Sequence, residues 1–412
     1  MANVSSSNGL EKRPELRFPG FDEPWEHKEL LYYLVENTDR NKQLKFGKEN
    51  VLSVSGEYGI VNQIAFQGRS FAGESVADYH VVETDDIVYT KSPLKANPYG
   101  IIKVNNGVPG IVSTLYAVYH PLKTVVPRFV DFYFSNDLRL NKFLKPLVNI
   151  GAKHDMKVNN TFVLTGMVVF PPLREQQKIV DFLTILDRRI DVQRKKVEAL
   201  KKYKRGLLSR EFGQQENGDL NNRYVGKLKD YFHLSSGSTP SSTNRAFYSG
   251  NIRWVSSGEL KPKYLCETSQ HISSEAVSSC NLREYPANTL LVAMYGLEAA
   301  GVRGTASILS VPATISQACM AIQQTGEIDI EYLYYWYIYN GQWIGIRIAQ
   351  GTKQQNLSTD TLGNLRIHAP SCSKQKKVCK LLSQIDYLIE KEGQKIDLLS
   401  SAKRGLLQQL FI

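Results

Sequence analysis

The hydrophobic pattern is most regular in two long segments, residues 171–212 and 370–412. Apolar residues recur there in alternating steps of four and three, a spacing typical of the heptad seam of a coiled coil. The second segment matches the first at an offset of 199 residues. Even the lysine that interrupts the seam is repeated, as Lys204 in one copy and Lys403 in the other. At about 1.5 Å per residue, the roughly 30 residues of each copy predict a rod on the order of 45 Å long. The predicted seam residues are Leu183, Leu186, Ile190, Val197, Leu200, Leu382, Ile385, Ile389, Ile396 and Leu399.

The repeat extends beyond the helical segments to the whole chain. A single leucine stripe would also suit a core helix, but two matched copies surrounded by Lys and Arg favour pairing of the copies with each other. The chain order is globule, helix, globule, helix, so the second helix must lead back toward the first globule. We therefore expect an α+β protein with an internal pseudo-two-fold repeat, in which two long antiparallel coiled-coil helices separate two globular α/β domains.

Composition predicts the boundaries between these parts. Residues 213–223 are rich in Gly, Asn and Gln, which is typical of a linker. Within the first domain the pattern predicts a single helix over 127–147 and a strand over 161–170. The predicted division, in chain order, is a flexible N-terminus (1–20), a first globular domain (21–170), helix one (171–212), a linker (213–223), a second globular domain (224–369) and helix two (370–412).

The formal net charge of +11 favours a polyanionic partner, although such a value also occurs on ordinary protein surfaces. The two helical segments carry most of the excess, with 12 Lys and Arg against 6 Asp and Glu in residues 171–212 and 8 against 4 in residues 370–412. The globular domains must therefore use local patches for any phosphate contact. No secretory signal or bilayer span is visible, and the five cysteines lack the spacing of a zinc site. We expect a cytoplasmic protein without a metal site.

Several motifs occur in an order that resembles the specificity subunit of type I restriction-modification systems. They are PPLREQQKI leading into a helix that ends in KRGLL, the second copy of that helix, the block SSGSTPSSTNRAFYSGNIRWVSSGEL, and GTKQQNLS at 351–358. RFPGFDEPWEHKEL, DDIVYTKSP at 85–93 and GIVSTLYAVY resemble the first target-recognition domain of that family. The resemblance covers nearly the whole chain. Helix two departs from the first copy because it lacks an acidic counterpart of Glu175 and carries Gly393.

The resemblance implies a division of labour among several chains. The two globular domains would be target-recognition domains, each reading one half of a split double-stranded DNA sequence, and the helices would set the gap between them. Two readers on one face of a duplex sit about one helical turn apart, roughly 34 Å, which the predicted rod can span. Two modification (methyltransferase) subunits would dock and methylate adenine, joined by ATP-dependent restriction (translocase/nuclease) subunits. This chain would need no cofactor, because S-adenosylmethionine, ATP and Mg would be bound by the partner subunits.

The sequence lacks the motifs expected of a chain that performs this chemistry itself. The one Pro-Pro pair, at 171–172, lacks the neighbours with which an adenine methyltransferase holds the exocyclic amine, and no phosphate-binding loop is present. The histidines have neither metal nor triad spacing. We expect a non-catalytic DNA-recognition subunit. The alternative is a non-catalytic coiled-coil scaffold whose globular domains bind protein, in which case DNA binding would show neither sequence dependence nor steep salt dependence.

The segment GTKQQNLS is the first candidate for DNA contact. Its glycine permits close backbone approach, Lys353 can meet a phosphate, and its amides can read adenine edges, whereas the competing interpretation is a polar surface loop. The segment IGAKHDMKVNN (150–160) has the matching place in the first domain. The candidate DNA-contacting residues are Lys353, Gln354, Gln355, Asn356, Arg303 and Tyr295 in the second domain and Lys153, His154, Lys157, Lys91, Asn97 and Tyr99 in the first.

Overall fold

The chain forms two compact units, each of which contains one globular part and a portion of both long helices. Unit one comprises Met1–Arg194 and Gln394–Ile412, and unit two comprises Lys195–Gly393. Helix one extends over Leu173–Phe212 and helix two over Cys372–Gln409. The structure is a computed structural model that describes residues 13–150, 156–213, 223–297, 301–349 and 356–412.

Helix one and helix two run antiparallel in unit two. Lys204 Nζ lies 2.5 Å from Asp386 Oδ1, and Lys196 Nζ lies 2.8 Å from Glu392 Oε1, so the numbering rises along one helix as it falls along the other. Apolar residues of both helices, among them Leu207 and the predicted seam residues Leu382 and Ile385, share one hydrophobic core with the globular part. The antiparallel direction expected from the chain order is therefore confirmed in this unit.

Unit one repeats this arrangement with the roles of the helices exchanged. Lys403 Nζ lies 2.5 Å from Asp187 Oδ1, the counterpart of the Lys204–Asp386 pair after a shift of 199 residues. Leu183 of helix one packs in the same core as Leu410 and Phe411, which follow helix two. The pseudo-two-fold repeat is thus present in side-chain contacts as well as in sequence, and every predicted seam residue is buried or partly buried.

The globular part of unit one is built from short strands around an antiparallel sheet. Its four strands lie in the order Leu34–Asn37, Tyr116–Pro121, Ile87–Thr90 and Ile102–Val104. The other strands are Glu26–Glu29, Leu52–Ser55, Gly59–Asn62, His80–Val82, Gly110–Val112, Asn149–Ile150, Met156–Lys157 and Met167–Phe170. The α-helices that precede helix one are Gln63–Gln67, Pro127–Tyr133, Asp137–Leu144 and Asn160–Val163.

Unit two carries larger sheets, which are partly parallel. A five-stranded sheet has the order Phe232–Ser236, Cys319–Gln324, Leu290–Ala293, Ala306–Leu309 and Tyr264–Leu265, the last pair being parallel. A four-stranded sheet has the order Gln270–Ile272, Ile252–Val255, Ala313–Ile315 and Glu284–Tyr285. Strands Tyr224–Lys227 and Arg366–Ala369 pair separately. The α-helices are Leu228–Tyr231, Ser274–Ser279, Ile330–Trp343 and Thr359–Gly363, with a π-helical turn at Ile344–Ile348.

Two predictions about local structure in unit one are wrong. The single helix expected over 127–147 ends at Tyr133 and restarts at Asp137, because the Asn136 side chain accepts a hydrogen bond from Arg139 N at 3.1 Å and caps a new helix. The strand expected over 161–170 begins only at Met167. Residues 160–163 are helical instead, since the Asn159 side chain caps that turn.

Each globular part is attached to its long helix by the same set of contacts. In unit one, Gln176 Oε1 accepts from Val126 N at 2.9 Å and its Nε2 donates to Pro171 O at 2.9 Å. Gln375 of unit two makes the equivalent bonds with Asp329 N at 2.8 Å and Pro370 O at 2.9 Å. Both glutamines are buried, so these hydrogen bonds replace bonds to water that the unfolded chain makes. Each contributes about 1 kcal/mol to the free energy of unfolding.

An aromatic ring near the far end of a long helix completes each attachment. Phe411 lies 5.3 Å from Phe129 between ring centroids, and Phe212 lies 5.2 Å from Tyr332. Phe129 and Tyr332 are 203 residues apart, which is also the offset between Val126 and Asp329. These repeated contacts give a residue-by-residue correspondence between the helix that starts at Pro127 and the helix that starts at Ile330.

Candidate nucleic-acid interface

Lys91 of unit one lies beside the short helix that precedes helix one. It directly follows the strand Ile87–Thr90, and its Nζ donates to Asn160 Oδ1 at 3.2 Å. Asn160 in turn donates from Nδ2 to Glu36 Oε1 at 2.8 Å and accepts from Tyr119 Oη through its main-chain oxygen at 2.9 Å. The predicted loop after a strand and the predicted segment 150–160 therefore meet in space.

Two basic side chains that the sequence analysis did not single out, Arg40 and His80, lie near Lys91. Burial, and then the charge of Arg40, lower the pKa of Lys91, while Glu36 acts in the opposite direction. Burial followed by the charges of Arg40 and Lys91 lowers the pKa of His80 to about 4. Arg40 is exposed, and its charge disfavours the protonated forms of both groups, so an anion beside Lys91 and Arg40 would offset their mutual repulsion. Arg40 lies 51 residues from Lys91 in the chain, and no local pattern could have joined them.

Asn97 and Tyr99 hold the loop after Lys91 in place. Asn97 is 7% exposed and donates from Nδ2 to Asp137 Oδ1 at 2.8 Å. The main-chain oxygen of Tyr99 accepts from Tyr89 Oη at 2.6 Å, and the Tyr99 ring packs against the hydrophobic core. Both residues have structural contacts here, and their predicted DNA contact stays a prediction.

The remaining candidates of unit one are Lys153, His154 and Lys157. Lys153 and His154 lie outside the described residues, as does the side chain of Lys157. The strand Met156–Lys157 pairs antiparallel with Asn149–Ile150. It leads into the helix that begins at Asn160, whose side chain contacts Lys91.

Unit two brings its own two candidate segments together in the same way. Leu357 N donates to Met294 O at 2.8 Å, which places the residues after GTKQQ against the end of the strand Leu290–Ala293. Tyr295 follows this strand and is 41% exposed, so its ring is available for contact. Ser358 caps the short helix Thr359–Gly363, as Asn159 caps its counterpart in unit one.

The other candidates of unit two differ in accessibility. Asn356 is partly buried, and its Oδ1 has no hydrogen-bond partner within the described ranges. Arg303 Nε donates to Leu297 O at 2.6 Å. Lys353, Gln354 and Gln355 lie outside the described residues. Their predicted base and phosphate contacts stay predictions.

One group of side chains in unit two has the spacing of metal ligands, namely Asp329, Glu331 and Cys379. Glu331 already forms an ion pair with Lys263 and accepts from Ser383 Oγ at 2.7 Å, while Asp329 caps the helix that starts at Ile330. Burial raises the pKa of the Cys379 thiol, which disfavours the thiolate that a metal would need. These contacts give the cluster a structural role.

The fold matches solved structures over nearly the whole chain. A specificity subunit from M. genitalium superposes with a TM-score of 0.59 at 13% identity, covering 97% of this chain and 99% of that one. A chain from a study of complex assembly and conformational transition of the type I R-M system gives 0.57 at 16% identity, covering 96% and 99%. At these identities the likeness establishes the fold, namely the α+β arrangement of two sheet-rich parts with long helices.

Sequence comparison adds curated relatives. The MjaIX specificity subunit of Methanocaldococcus jannaschii is 29% identical over 192 residues, which cover 46% of this chain and 43% of the relative. The EcoR124I/EcoR124II specificity subunit of Escherichia coli is 25% identical over 176 residues, 42% of each chain. The matched region thus spans less than half of the length of these two relatives.

None of the helices in the described ranges has the length and apolarity to cross a bilayer.

A family model decides the assignment because it matches both halves of the chain. The type I restriction modification DNA specificity domain matches residues 75–202 and again residues 222–400. The first match starts within the globular part of unit one, the second contains that of unit two, and each includes most of the long helix that follows, in agreement with the duplicated architecture. The chain therefore belongs to the family of type I restriction-modification DNA specificity domains.

Proposed function

We propose that this chain is the sequence-specific DNA-binding specificity subunit of a type I restriction-modification enzyme. Each unit supplies one target-recognition domain that reads one half of a bipartite target. Helices one and two set the spacer and dock the modification subunits, of which there are two. The proposal assigns no catalytic step to this chain and places S-adenosylmethionine, ATP and Mg on the modification and restriction subunits in the cytoplasm.

The observation that supports this proposal most directly is a contact between two segments that occurs in both units. In each unit the loop after a central strand contacts the residues around the cap of the short helix that precedes a long helix. In unit one the contact joins Lys91 and Asn160. In unit two it joins Met294 and Leu357. Two separate readers with equivalent placement suit a target with two halves. Cations and amides at such loops suit phosphate and base-edge contacts.

The test is a genome-wide map of N6-methyladenine in cells that carry the partner methyltransferase, with and without this chain. A split motif with a fixed gap should appear only when the chain is present. An unchanged map, with the methyltransferase proven active, would instead favour the scaffold that binds protein.

Domain replacement would then test the division of labour. Exchange of residues 1–170 for those of a relative with another target should change one half of the motif and leave the other half intact. A change in both halves would contradict the assignment of one half to each unit.

A further inference from the structure

Outside the main sheet, both units contain a pair of antiparallel strands that leads into a short helix. In chain order these elements are Leu52–Ser55, Gly59–Asn62 and Gln63–Gln67 in unit one and Ile252–Val255, Gln270–Ile272 and Ser274–Ser279 in unit two. A parallel pair connects each set to another strand, through Val51 and Ile111 in unit one. In unit two the pair is Trp254 and Thr314, both 203 positions later, so the two sets are equivalent.

The short helix packs inward in unit two, whereas in unit one it is exposed. Asn62 caps the helix of unit one by accepting a hydrogen bond from Ala65 N at 3.0 Å. Ser273 caps the helix of unit two by accepting from Ala276 N at 3.1 Å, so the two alanines match. Ala276 is fully buried in a hydrophobic cluster, but Ala65 is exposed. Every residue of Gln63–Gln67 is exposed or partly buried, so the helix of unit one turns toward solvent a face that its counterpart buries.

Two aromatic rings occupy the exposed side of the hairpin in unit one. Tyr58 lies in the turn of the hairpin and is 57% exposed, and Phe66 lies on the short helix and is 46% exposed. Their ring centroids are 5.3 Å apart, so the two rings form one surface, which we call the aromatic patch. Adjacent exposed rings favour binding, because burial of each ring against a partner lowers the free energy.

Hydrogen bonds hold the backbone of the aromatic patch in place. Ser55 Oγ accepts from Tyr58 N at 3.2 Å, and Gly59 closes the turn with a φ of 71°. Gln63, at the start of the short helix, donates from Nε2 to Ser53 Oγ at 3.1 Å. The helix is thereby fixed to the first strand of the hairpin, and the rings need little further ordering when a partner binds.

The aromatic patch adjoins the strand end that carries Lys91. Gly56, in the same turn as Tyr58, lies beside Ile101, since a Cβ atom at Gly56 would be 3.9 Å from Ile101 Cδ1. Ile101 O accepts from Thr90 N at 2.9 Å, and Thr90 directly precedes Lys91. The patch is therefore continuous with the candidate nucleic-acid interface of unit one.

The charged groups near the patch favour DNA as its partner. Lys91 lies on one side, and Arg69 lies in the loop after the short helix, where it stacks over Phe71 at 4.6 Å from the ring centroid. In the ranges that the structure describes, neither cation forms an ion pair, so both are available to phosphates. Glu57, which precedes Tyr58, would repel a phosphate but can accept from the amine of cytosine, so the turn suits base edges.

We propose that the aromatic patch of unit one inserts between adjacent base pairs of the half-target that this unit reads, and that its covered counterpart in unit two does not. The rings partly unstack one base step, while Lys91 and Arg69 hold phosphates nearby. The inference rests on the proposed function, since it takes DNA as the partner of unit one. It goes further because the ease of unstacking depends on the bases at the step, so unit one selects that step without a hydrogen bond to it.

The experiment uses the purified complex of the full-length chain with its modification subunit. Its DNA probe is a duplex that carries the split motif from the methylation map, with 2-aminopurine in place of one base at a time, outside the adenines that are methylated. Because unstacking raises the fluorescence of 2-aminopurine, the wild-type complex should raise it at one step in the half read by unit one. Replacement of residues 1–170 identifies that half.

Variants of the two rings connect the fluorescence to the aromatic patch. Tyr58→Ala/Phe66→Ala should remove the rise and weaken binding of the duplex about tenfold, as expected for the loss of base stacking. The salt slope of log K should stay unchanged, because no charge is removed. Tyr58→Phe keeps both rings and should behave as the wild type. Tyr32→Ala is the matched control, since Tyr32 is 45% exposed in the same unit but precedes the strand Leu34–Asn37, at the opposite end from Arg40.

The substituted rings are exposed, so thermal unfolding of the variants should match the wild type. If Tyr58→Ala/Phe66→Ala lowered the unfolding temperature, Tyr58→Leu/Phe66→Leu would serve in its place. The leucines retain the apolar volume at both positions but cannot stack on bases as the rings do. This second double variant should keep the stability of the wild type and lose the fluorescence rise.

Each of three outcomes would overturn the inference. Wild-type affinity and fluorescence in both double variants would show that the rings do not contact bases. A smaller salt slope in these variants would place the patch against phosphates instead. Loss of self-association of the chain in sedimentation, with DNA binding unchanged, would assign the patch to a second copy. These outcomes leave the methylation map, and with it the proposed function, intact, whereas failure of the wild-type complex to bind the duplex would overturn both.

Discussion

The two units share their attachment to the long helices and the contact between the loop after a central strand and the residues around a helix cap, but their sheets differ. Gln176 and Gln375 make matching bonds, and the pairs Lys403–Asp187 and Lys204–Asp386 occupy matching places. In contrast, the main sheet of unit one has four antiparallel strands, whereas that of unit two has five with a parallel edge. The difference teaches that the duplicated part holds each globule on the helices and that the sheets are free to present different surfaces.

Removal of the aromatic rings at the attachments tests whether the two are energetically equal. Phe411→Ala and Phe212→Ala each leave a cavity among buried aromatic rings, so each should lower the free energy of unfolding of its own unit by about 3–5 kcal/mol. Denaturant titration combined with hydrogen exchange assigns the loss to a unit. If one substitution lowered the free energy of unfolding several-fold less than the other, the two attachments would not contribute equally to stability, although their structures match.

The next test uses a contact that unit two lacks. Arg17 bonds Glu175 with two hydrogen bonds of 2.8 and 2.7 Å, and Glu175 is 1% exposed, while its counterpart Lys374 is exposed. Arg17→Ala leaves a buried carboxylate without its partner and should cost about 3 kcal/mol, measured by denaturant unfolding. Lys374→Ala should change the free energy of unfolding by less than about 0.5 kcal/mol. Equal effects of the two variants would mean that the Arg17–Glu175 pair gives unit one no extra stability.

The free energy of unfolding of the two units should also depend differently on acidic pH. Because burial and the charges of Arg40 and Lys91 lower the pKa of His80 to about 4, the unfolded chain binds a proton between pH 6.5 and 4 that the folded chain does not. The free energy of unfolding of unit one should therefore fall as the pH drops through this window, by on the order of 2 kcal/mol, and His80→Gln should remove the fall. Urea titrations at several pH values measure it, and an unchanged slope in the variant would refute the assignment.

Unit two should respond at lower pH. Burial opposes ionisation of Glu331, but hydrogen bonds from Lys263 and Ser383 outweigh it and hold the pKa of Glu331 below its usual value. The stability that this carboxylate contributes is present above its unfolded pKa and is lost only as the pH falls through the lowered value. Glu331→Gln should remove this low-pH loss and leave the His80 window of unit one unchanged.

The smallest expected effect concerns DNA. Lys91→Ala should weaken DNA binding uniformly across sequences and reduce the salt slope of log K by about one, because it removes the one phosphate contact that is proposed for Lys91. Lys123→Ala, at an exposed lysine of the same unit, should leave the slope unchanged. Fluorescence anisotropy at a series of salt concentrations measures both. A loss of discrimination at one base with an unchanged slope would make Lys91 a base reader.

The sequence predicts the long helices well because their signal is local and periodic, and Leu183 and Leu382 are buried as the heptad spacing requires. It does not predict the break at Asn136, where one capping side chain competes with a helical pattern on both sides. Nor does it reveal that Asn97 is bound by Asp137 or that Arg40 adjoins Lys91, since these contacts join residues far apart in the chain. Loops can be nominated as binding segments from composition, but which side chains remain free depends on tertiary partners.

The glutamine attachment has a consequence for how such a chain can change over generations. Gln176 and Gln375 bond main-chain groups of the segments they hold, at Val126 and Pro171 in one unit and at Asp329 and Pro370 in the other. Every residue except proline offers the same N–H group, and every residue offers the same carbonyl oxygen. A different globular domain with a similar backbone at these points could make the same hydrogen bonds. The long helices can therefore hold globular domains of different sequence.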